Sequence, residues 1–392
     1  LLLLENLSAP AQKITAPIGW NPAVEFDGTN GTATTPGLED KPNFDEFLAD
    51  AGFDPAEIEI VGTPRTSRWQ VASPWPAEPR WLTSYRFQFR KLGATVDLPL
   101  LYSQAKKSVK KPTKSLQVTK TNKALVVLWS DLQIGKVASG GGTPELIERA
   151  LASIDSIIAE AKATKPSHAV VADVGDIIEN FSNAADLAQL QSNDLSLMQQ
   201  VDLATTLTWE LLKRLTELVP NITYASIGSN HCQWRVGKQR VGLAVDDWGI
   251  HIGRTLARLS KETELGIKFL EPQPHDESLV VDVFGDEFHR LGIVHGHQSS
   301  RPEGVVTWWQ KQSFGQQPVH SATILASGHY HHLRVQEVAS NERGASRYWI
   351  QAATLDGGSD WFRLTSGESG KAGVVVFTLE DRVEFTGTVK KV

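Results

Sequence analysis

Five short stretches of this 392-residue chain carry side chains that bind divalent metals, and each follows an apolar run. They are Ser130-Asp131-Leu132-Gln133, Gly175-Asp176, Ser229-Asn230-His231, His295-Gly296-His297 and Gly328-His329-Tyr330-His331-His332. Carboxylate oxygens, an amide oxygen and imidazole nitrogens together suit a pair of divalent transition-metal ions. Such a pair lowers the pKa of a shared water, clamps phosphate oxygens and offsets the charge that builds when a phosphodiester is attacked. Taken singly, each stretch has a plainer reading. Asp131 and Asp176 could cap a loop or helix, Asn230 and His231 could be turn residues, and His329 and His331 could be a strand-end pair. Two features favour one shared cleft: the common placement after apolar strands, and the six of eleven histidines that fall within residues 295–332.

Convergence requires strands that end together. Residues 124–128, 169–172 and 222–227 are apolar runs that read as buried strands. Thr143-Pro144 reads as the start of a helix whose apolar face is Leu146, Ile147, Ala150, Leu151, Ile154, Ile157 and Ile158. A long helix is expected near 186–219 and another over 246–259. Further strands are expected at 278–283, 290–294, 322–326, 348–352 and 373–378. Strand–helix alternation followed by a strand-rich half predicts a layered α/β architecture. Open α/β sheets gather ligands just beyond the carboxyl ends of their strands.

In order and type, these stretches resemble the calcineurin-like metallophosphoesterases, whose pattern runs D-x-H, G-D, G-N-H-D/E, H and G-H-x-H. The likeness covers about residues 123–335. The stretch Trp129-Ser130-Asp131-Leu132-Gln133-Ile134-Gly135-Lys136 looks most like phage-encoded members related to SbcD-type DNA repair exonucleases. The resemblance implies a four-layer αββα sandwich over 123–392 and a dinuclear centre with a bridging hydroxide. It implies that Asp176 bridges two divalent cations, manganese foremost, with iron, zinc and magnesium as alternatives. Asp131, Gln133 and His331 would hold the first, and Asn230, His295 and His329 the second, with His297 as the other candidate of its pair. His231 would stabilise the transition state and protonate the leaving oxygen.

The chain departs from that pattern at three places. Gln133 stands where the pattern has His, and a neutral amide oxygen cannot take over the role of imidazole in full. Ser229 replaces Gly, and Cys232 replaces the acidic residue that would orient His231. Cys232 itself reads as inert, and Glu179 either backs up the ligand residues or starts a helix, the latter being favoured. Trp308 and Trp309, expected in a loop, could stack on bases or be one core and one rim residue. The Gly-rich turn from Asp356 to Arg363 reads as a cleft wall or a structural corner.

Ahead of this region the charge changes sign twice. Residues 1–60 carry a net −9, residues 61–123 a net +11, and the remainder −8, which together give the overall −6. The average therefore says little about partners. The basic block holds Arg65, Arg68, Arg86 and Arg90, then Lys106, Lys107, Lys110 and Lys111. Trp69, Trp75, Trp81, Tyr85, Phe87 and Phe89 interleave with the arginines. Basic residues neutralise phosphates and aromatic faces stack on bases, so DNA is the expected partner. The expected organisation is a flexible tail over 1–40, a small basic α+β domain over 41–102, a Lys-rich linker over 103–122, and the catalytic domain over 123–392.

The single cysteine excludes a disulfide framework and a Cys-rich zinc module. No run of about 18 apolar residues is present, so no membrane partner is expected. A cytoplasmic location is expected, in the host if the chain is phage-encoded. Related nucleases work with an ATPase and often form homodimers, but no motif for either is readable here. The leading expectation is a metal-dependent DNA nuclease. One alternative is a phosphoesterase for a small nucleotide, a cyclic nucleotide or a phosphoprotein. Another is a nucleic-acid-binding module with a degraded metal site.

Overall fold

The computed structural model describes residues 24–26, 30–71, 80–91, 121–180, 193–236, 239–285, 287–340, 344–358 and 370–392. The chain divides into two compact units, Leu1–Val96 and Asp97–Val392.

In the first unit, strands β1 (Val24–Phe26), β2 (Asn30–Thr34), β3 (Ile58–Val71) and β4 (Arg80–Lys91) form an antiparallel sheet in the order β1-β2-β4-β3. Helix α1 (Phe44–Asp50) is capped by the Asn43 side chain. Period-2 alternation sends Phe87 and Phe89 into a core with Ala33, Leu48 and Ile58, and leaves Arg86, Gln88 and Arg90 exposed. Residues 24–26 and 30–40 therefore do not belong to the expected tail. Strand β2 escapes sequence reading because Gly31 has no side chain where the Phe89 ring lies against the backbone. The Lys-rich linker falls almost wholly outside the described residues.

The second unit is mixed α/β. Its elements begin with β5 (Lys123–Trp129), helix α2 (Thr143–Thr164), β6 (His168–Asp173), helix α3 (Leu197–Thr216) and β7 (Asn221–Ser226). A small hairpin, β8 (Arg235–Val236) and β9 (Gln239–Arg240), precedes helix α4 (Trp248–Glu262) and β10 (Lys268–Leu270). Then come β11 (Ser278–Asp282), β12 (Arg290–Val294), helix α5 (Gly304–Phe314) and a 3-10 helix at Pro318–Ser321. The last strands are β13 (Ile324–Ser327), β14 (Arg334–Ser340), β15 (Ser346–Gln351), β16 (Val375–Glu380) and β17 (Lys390–Lys391). One sheet has the order β10-β7-β6-β5-β16-β17, the other β11-β12-β13-β15-β14.

Alternation along β5 explains how these sheets are covered. Leu125, Val127 and Trp129 pack with residues of α2, α3 and α4, whereas Ala124, Val126 and Leu128 pack with β12, β13 and β15 of the other sheet. A third apolar cluster joins Val294, Leu325 and Trp349 of the second sheet to Val305 and Trp309 of α5. Strands buried on both faces read as continuous apolar runs, which is why β5, β6 and β7 were visible in the sequence.

Helix ends differ from expectation by what caps them. Helix α3 starts at Leu197, where Ser196 and Gln199 form a reciprocal capping box, and residues 186–192 of the expected helix lie outside the described residues. Helix α2 is preceded by Gly142, and the Thr143 hydroxyl hydrogen-bonds Asp194 instead of capping. No helix among the described residues is long and apolar enough to cross a membrane.

Candidate metal centre

The loops leaving β5, β6, β7, β12, β13 and β15 carry Asp131, Asp176, Asn230, His295, His329 and Asp356 in turn. Backbone bonds tie these loops together. Asp131 N–H donates to the Gly175 carbonyl (3.0 Å), Gln133 N–H to the Asp176 carbonyl (2.9 Å), and Gly328 N–H to the His295 carbonyl (2.8 Å). Asp131, Gln133, Asp176, Asn180, His329 and His331 all have left-handed backbones, with φ between 44° and 72°. Such φ values are costly for residues with a Cβ and cluster where surrounding structure enforces them. Gly175 is required beside Asp176: a Cβ there would lie 2.6 Å from Ser229 Cβ and 2.7 Å from His295 Nδ1.

Asp176, His295 and His329 bring one ligand atom each within 4.8 Å of one another, so this cluster could hold a metal ion. Tautomer chemistry sharpens the fit. His295 Nδ1 is 2.8 Å from the Val174 carbonyl, which can only accept, so Nδ1 carries hydrogen. His295 Nε2 then faces Asn230 Oδ1 and Asp176 Oδ2, both at 2.9 Å. Three electron-pair donors meet there, an arrangement that a cation or a second ring proton between them would stabilise. Burial opposes that proton, yet Asp176 outweighs burial and raises His295 to about 9. Burial and the nearby His295 push His329 down to about 3.

Beside this cluster His231 makes a different set of contacts. Its backbone N–H donates to Asp176 Oδ1 (2.9 Å), and its Nδ1 lies 3.0 Å from the Glu179 carbonyl and 3.3 Å from Glu179 Oε2. Burial disfavours the charged ring, but Asp176 and Glu179 prevail and raise it to about 10. Glu179 is thus the carboxylate set against the His231 ring, and the residues that would continue a helix from it lie outside the described residues. Cys232 stands apart from that role. It is buried with its thiol 3.9 Å from the Ile178 carbonyl, and burial and Asp247 push its pKa well up.

On the Asp131 side the contacts are already made. The Asp131 carboxylate accepts from the Ser130 hydroxyl and from the His329 N–H, the latter at 3.0 and 3.2 Å to its two oxygens. His331 Nε2 is 3.4 Å from Asp131 Oδ1, and its Nδ1 is 3.7 Å from Asp356 Oδ2. Gln133 Oε1 accepts from Lys136 Nζ at 2.5 Å, and the same ammonium pairs with Asp356 Oδ2 at 2.5 Å. Burial raises the Asp356 carboxyl, but His331 and Lys136 outweigh it and hold it at about 2.

His297 lies farther out. Its Nε2 is 3.4 Å from Gln233 Nε2 and 3.7 Å from Glu277 Oε2, and its ring centroid is 5.5 Å from that of His295. Trp308 and Trp309 sit on helix α5, not in a loop. Trp309 is a core residue donating to the Val319 carbonyl, and Trp308 is half-buried against the same cluster.

The basic residues divide by their neighbours. Arg90 pairs with Glu59, and Arg68 stacks over the Trp81 ring at 4.8 Å. Arg65 and Arg86 are exposed and directly opposite one another on β3 and β4. Phe87 and Phe89 are buried and cannot stack on bases, whereas Trp69 and Trp81 are exposed. Lys106, Lys107, Lys110, Lys111 and Trp75 lie outside the described residues.

Sequence reading missed Lys136 as a participant and missed two buried acids, Asp173 and Asp247. Tyr224 donates to Asp173 (3.0 Å), and the Ser229 N–H donates to Asp247 (3.0 Å). Burial raises each to about 7. Their signal was only a position near a strand end or ahead of a helix. Asp356 had the clearer signal, since it opens a Gly-rich turn and faces the site through Lys136 and His331, while residues 359–363 of that turn lie outside the described residues. No family model matches the chain, and no curated protein is significantly similar to it.

Proposed function

We propose that the chain is a metal-dependent phosphodiesterase of the calcineurin-like type, acting on DNA as a nuclease. The observation that carries this reading is the meeting of Asp176 Oδ2, Asn230 Oδ1 and His295 Nε2 at 2.9 Å, with His329 beside them. The layering supports it: helices α2, α3 and α4 pack on one sheet and α5 on the other, as expected of an αββα sandwich. A divalent cation, manganese foremost, would be held by Asp176, Asn230, His295 and His329. When bound, it supplies positive charge that clamps phosphate oxygens and offsets the charge built during attack. Asp131, Gln133 and His331, the other set the resemblance implies, fit a cation less well because Gln133 Oε1 already accepts from Lys136.

His231 has the geometry of a proton donor. Its Nδ1 is engaged by Glu179, its Nε2 lies 3.9 Å from Asp176 Oδ2, and its side chain keeps 16% exposure to the cleft. With Nδ1 held by Glu179, a proton on Nε2 can pass to the leaving oxygen. Arg65 and Arg86 support a polymeric substrate. Like charges directly opposite on a sheet repel, and a phosphate between them relieves that repulsion.

The test is incubation with linear, circular and single-stranded DNA and with bis-p-nitrophenyl phosphate in manganese, beside an Asp176→Asn variant. Manganese-dependent cleavage that the variant lacks is expected. No hydrolysis of any substrate would overturn the reading. Hydrolysis of the small diester without DNA cleavage would replace DNA by a small nucleotide.

A further inference from the structure

We infer that the centre holds one divalent cation tightly, on the Asp176 side, and that the Lys136 ammonium takes the place of a second cation on the Asp131 side. The inference rests on reading the site as a metal centre.

Lys136 closes a turn with Gln133: its backbone N–H donates to the Gln133 carbonyl at 3.0 Å, and its side chain folds back onto Gln133 Oε1. The same Nζ bridges to Asp356 Oδ2, with only 14% exposure for the lysine side chain and 1% for the aspartate. The other Asp356 oxygen accepts from the Gly358 N–H at 2.8 Å, so this carboxylate is fixed between two donors. Asp131 likewise accepts from Ser130 and from the His329 N–H.

Each oxygen that could serve a cation here therefore already has a donor, and a positive charge is already present. A second divalent ion would have to displace the ammonium from Gln133 or approach it against Coulomb repulsion in a desolvated site. The Asp176 side has the opposite character. His295 Nε2, Asn230 Oδ1 and Asp176 Oδ2 face one another with no lysine or arginine among them in the described residues.

Manganese titration of the full chain, read by equilibrium dialysis and electron paramagnetic resonance, tests this. The wild type should bind one equivalent with an isolated-ion spectrum, and any second equivalent should bind roughly 100-fold more weakly, a typical cost of disturbing the groups around metal ligands. The double variant Gln133→His/Lys136→Met, checked for folding by its melting curve, should bind two equivalents with an exchange-coupled spectrum. Two wild-type equivalents of similar affinity would overturn the inference whether or not the variant folds. A folded double variant that stays at one would do the same. No bound manganese in the wild type would overturn the metal-centre reading itself, so the two failures are told apart.

Discussion

Two histidine–carboxylate pairs flank the candidate centre, and they differ in what balances the acid. His331 Nδ1 faces Asp356 across 3.7 Å, and Asp356 is also paired with Lys136. His231 Nδ1 faces Glu179 across 3.3 Å, and among the described residues no lysine or arginine pairs with Glu179. On the first side the protein carries its own cation. On the second the histidine supplies the charge: burial opposes it, but Asp176 and then Glu179 raise His231 to about 10. Similar side chains at similar strand ends thus acquire different duties through one distant lysine.

The largest effect expected from this contrast is on metal affinity. Changing His295→Ala should weaken manganese binding by roughly 1,000-fold or more, since it removes a ligand atom outright, whereas Gln133→Ala should change it less than about tenfold. Isothermal titration would break the comparison if the two variants ranked the other way. Next is acid sensitivity. Asp356 is held at about 2, below its ordinary 3.8, so it stabilises the fold fully above pH 4. That contribution, about 2 kcal/mol by linkage, should fade as pH falls from 4 to 2. Denaturation midpoints across that range should show it, and Asp356→Asn should flatten the slope. The smallest effect concerns Glu179. Glu179→Gln should lower kcat about tenfold while leaving manganese affinity nearly unchanged, because it alters the orientation of His231 and not a ligand. An equal loss of metal binding would erase the distinction between the two carboxylates.

Much of this was legible in the sequence for a physical reason. Strands β6, β12 and β13 are buried on both faces, so their apolar runs stand out, and Asp176, His295 and His329 follow directly from their ends. Strand β14, largely exposed, and β2, with glycine under Phe89, offered no such pattern. Lys136 and Asp356 are 220 positions apart, and their pairing exists only once β5 and β15 share a fold. Glu179 was visible but left between two readings, because local spacing cannot show that the loop returns its side chain to His231. Trp309 was ambiguous for the converse reason: only the packing of α5 on the second sheet makes it core.

The left-handed backbones at Asp131, Asp176, His329 and His331 also bear on how mutational scans of this protein should be interpreted. Asp, Asn and His tolerate that conformation better than most residues, so the types suited to ligation are also the types the backbone accepts. Valine or isoleucine at these positions would lose the ligand and also add about 1–3 kcal/mol of strain. Asparagine at Asp131 or Asp176 would remove the charge at little conformational cost. In a saturation library, loss of activity at these four positions therefore has two separable origins, and the asparagine and glycine variants are the ones that isolate chemistry from folding.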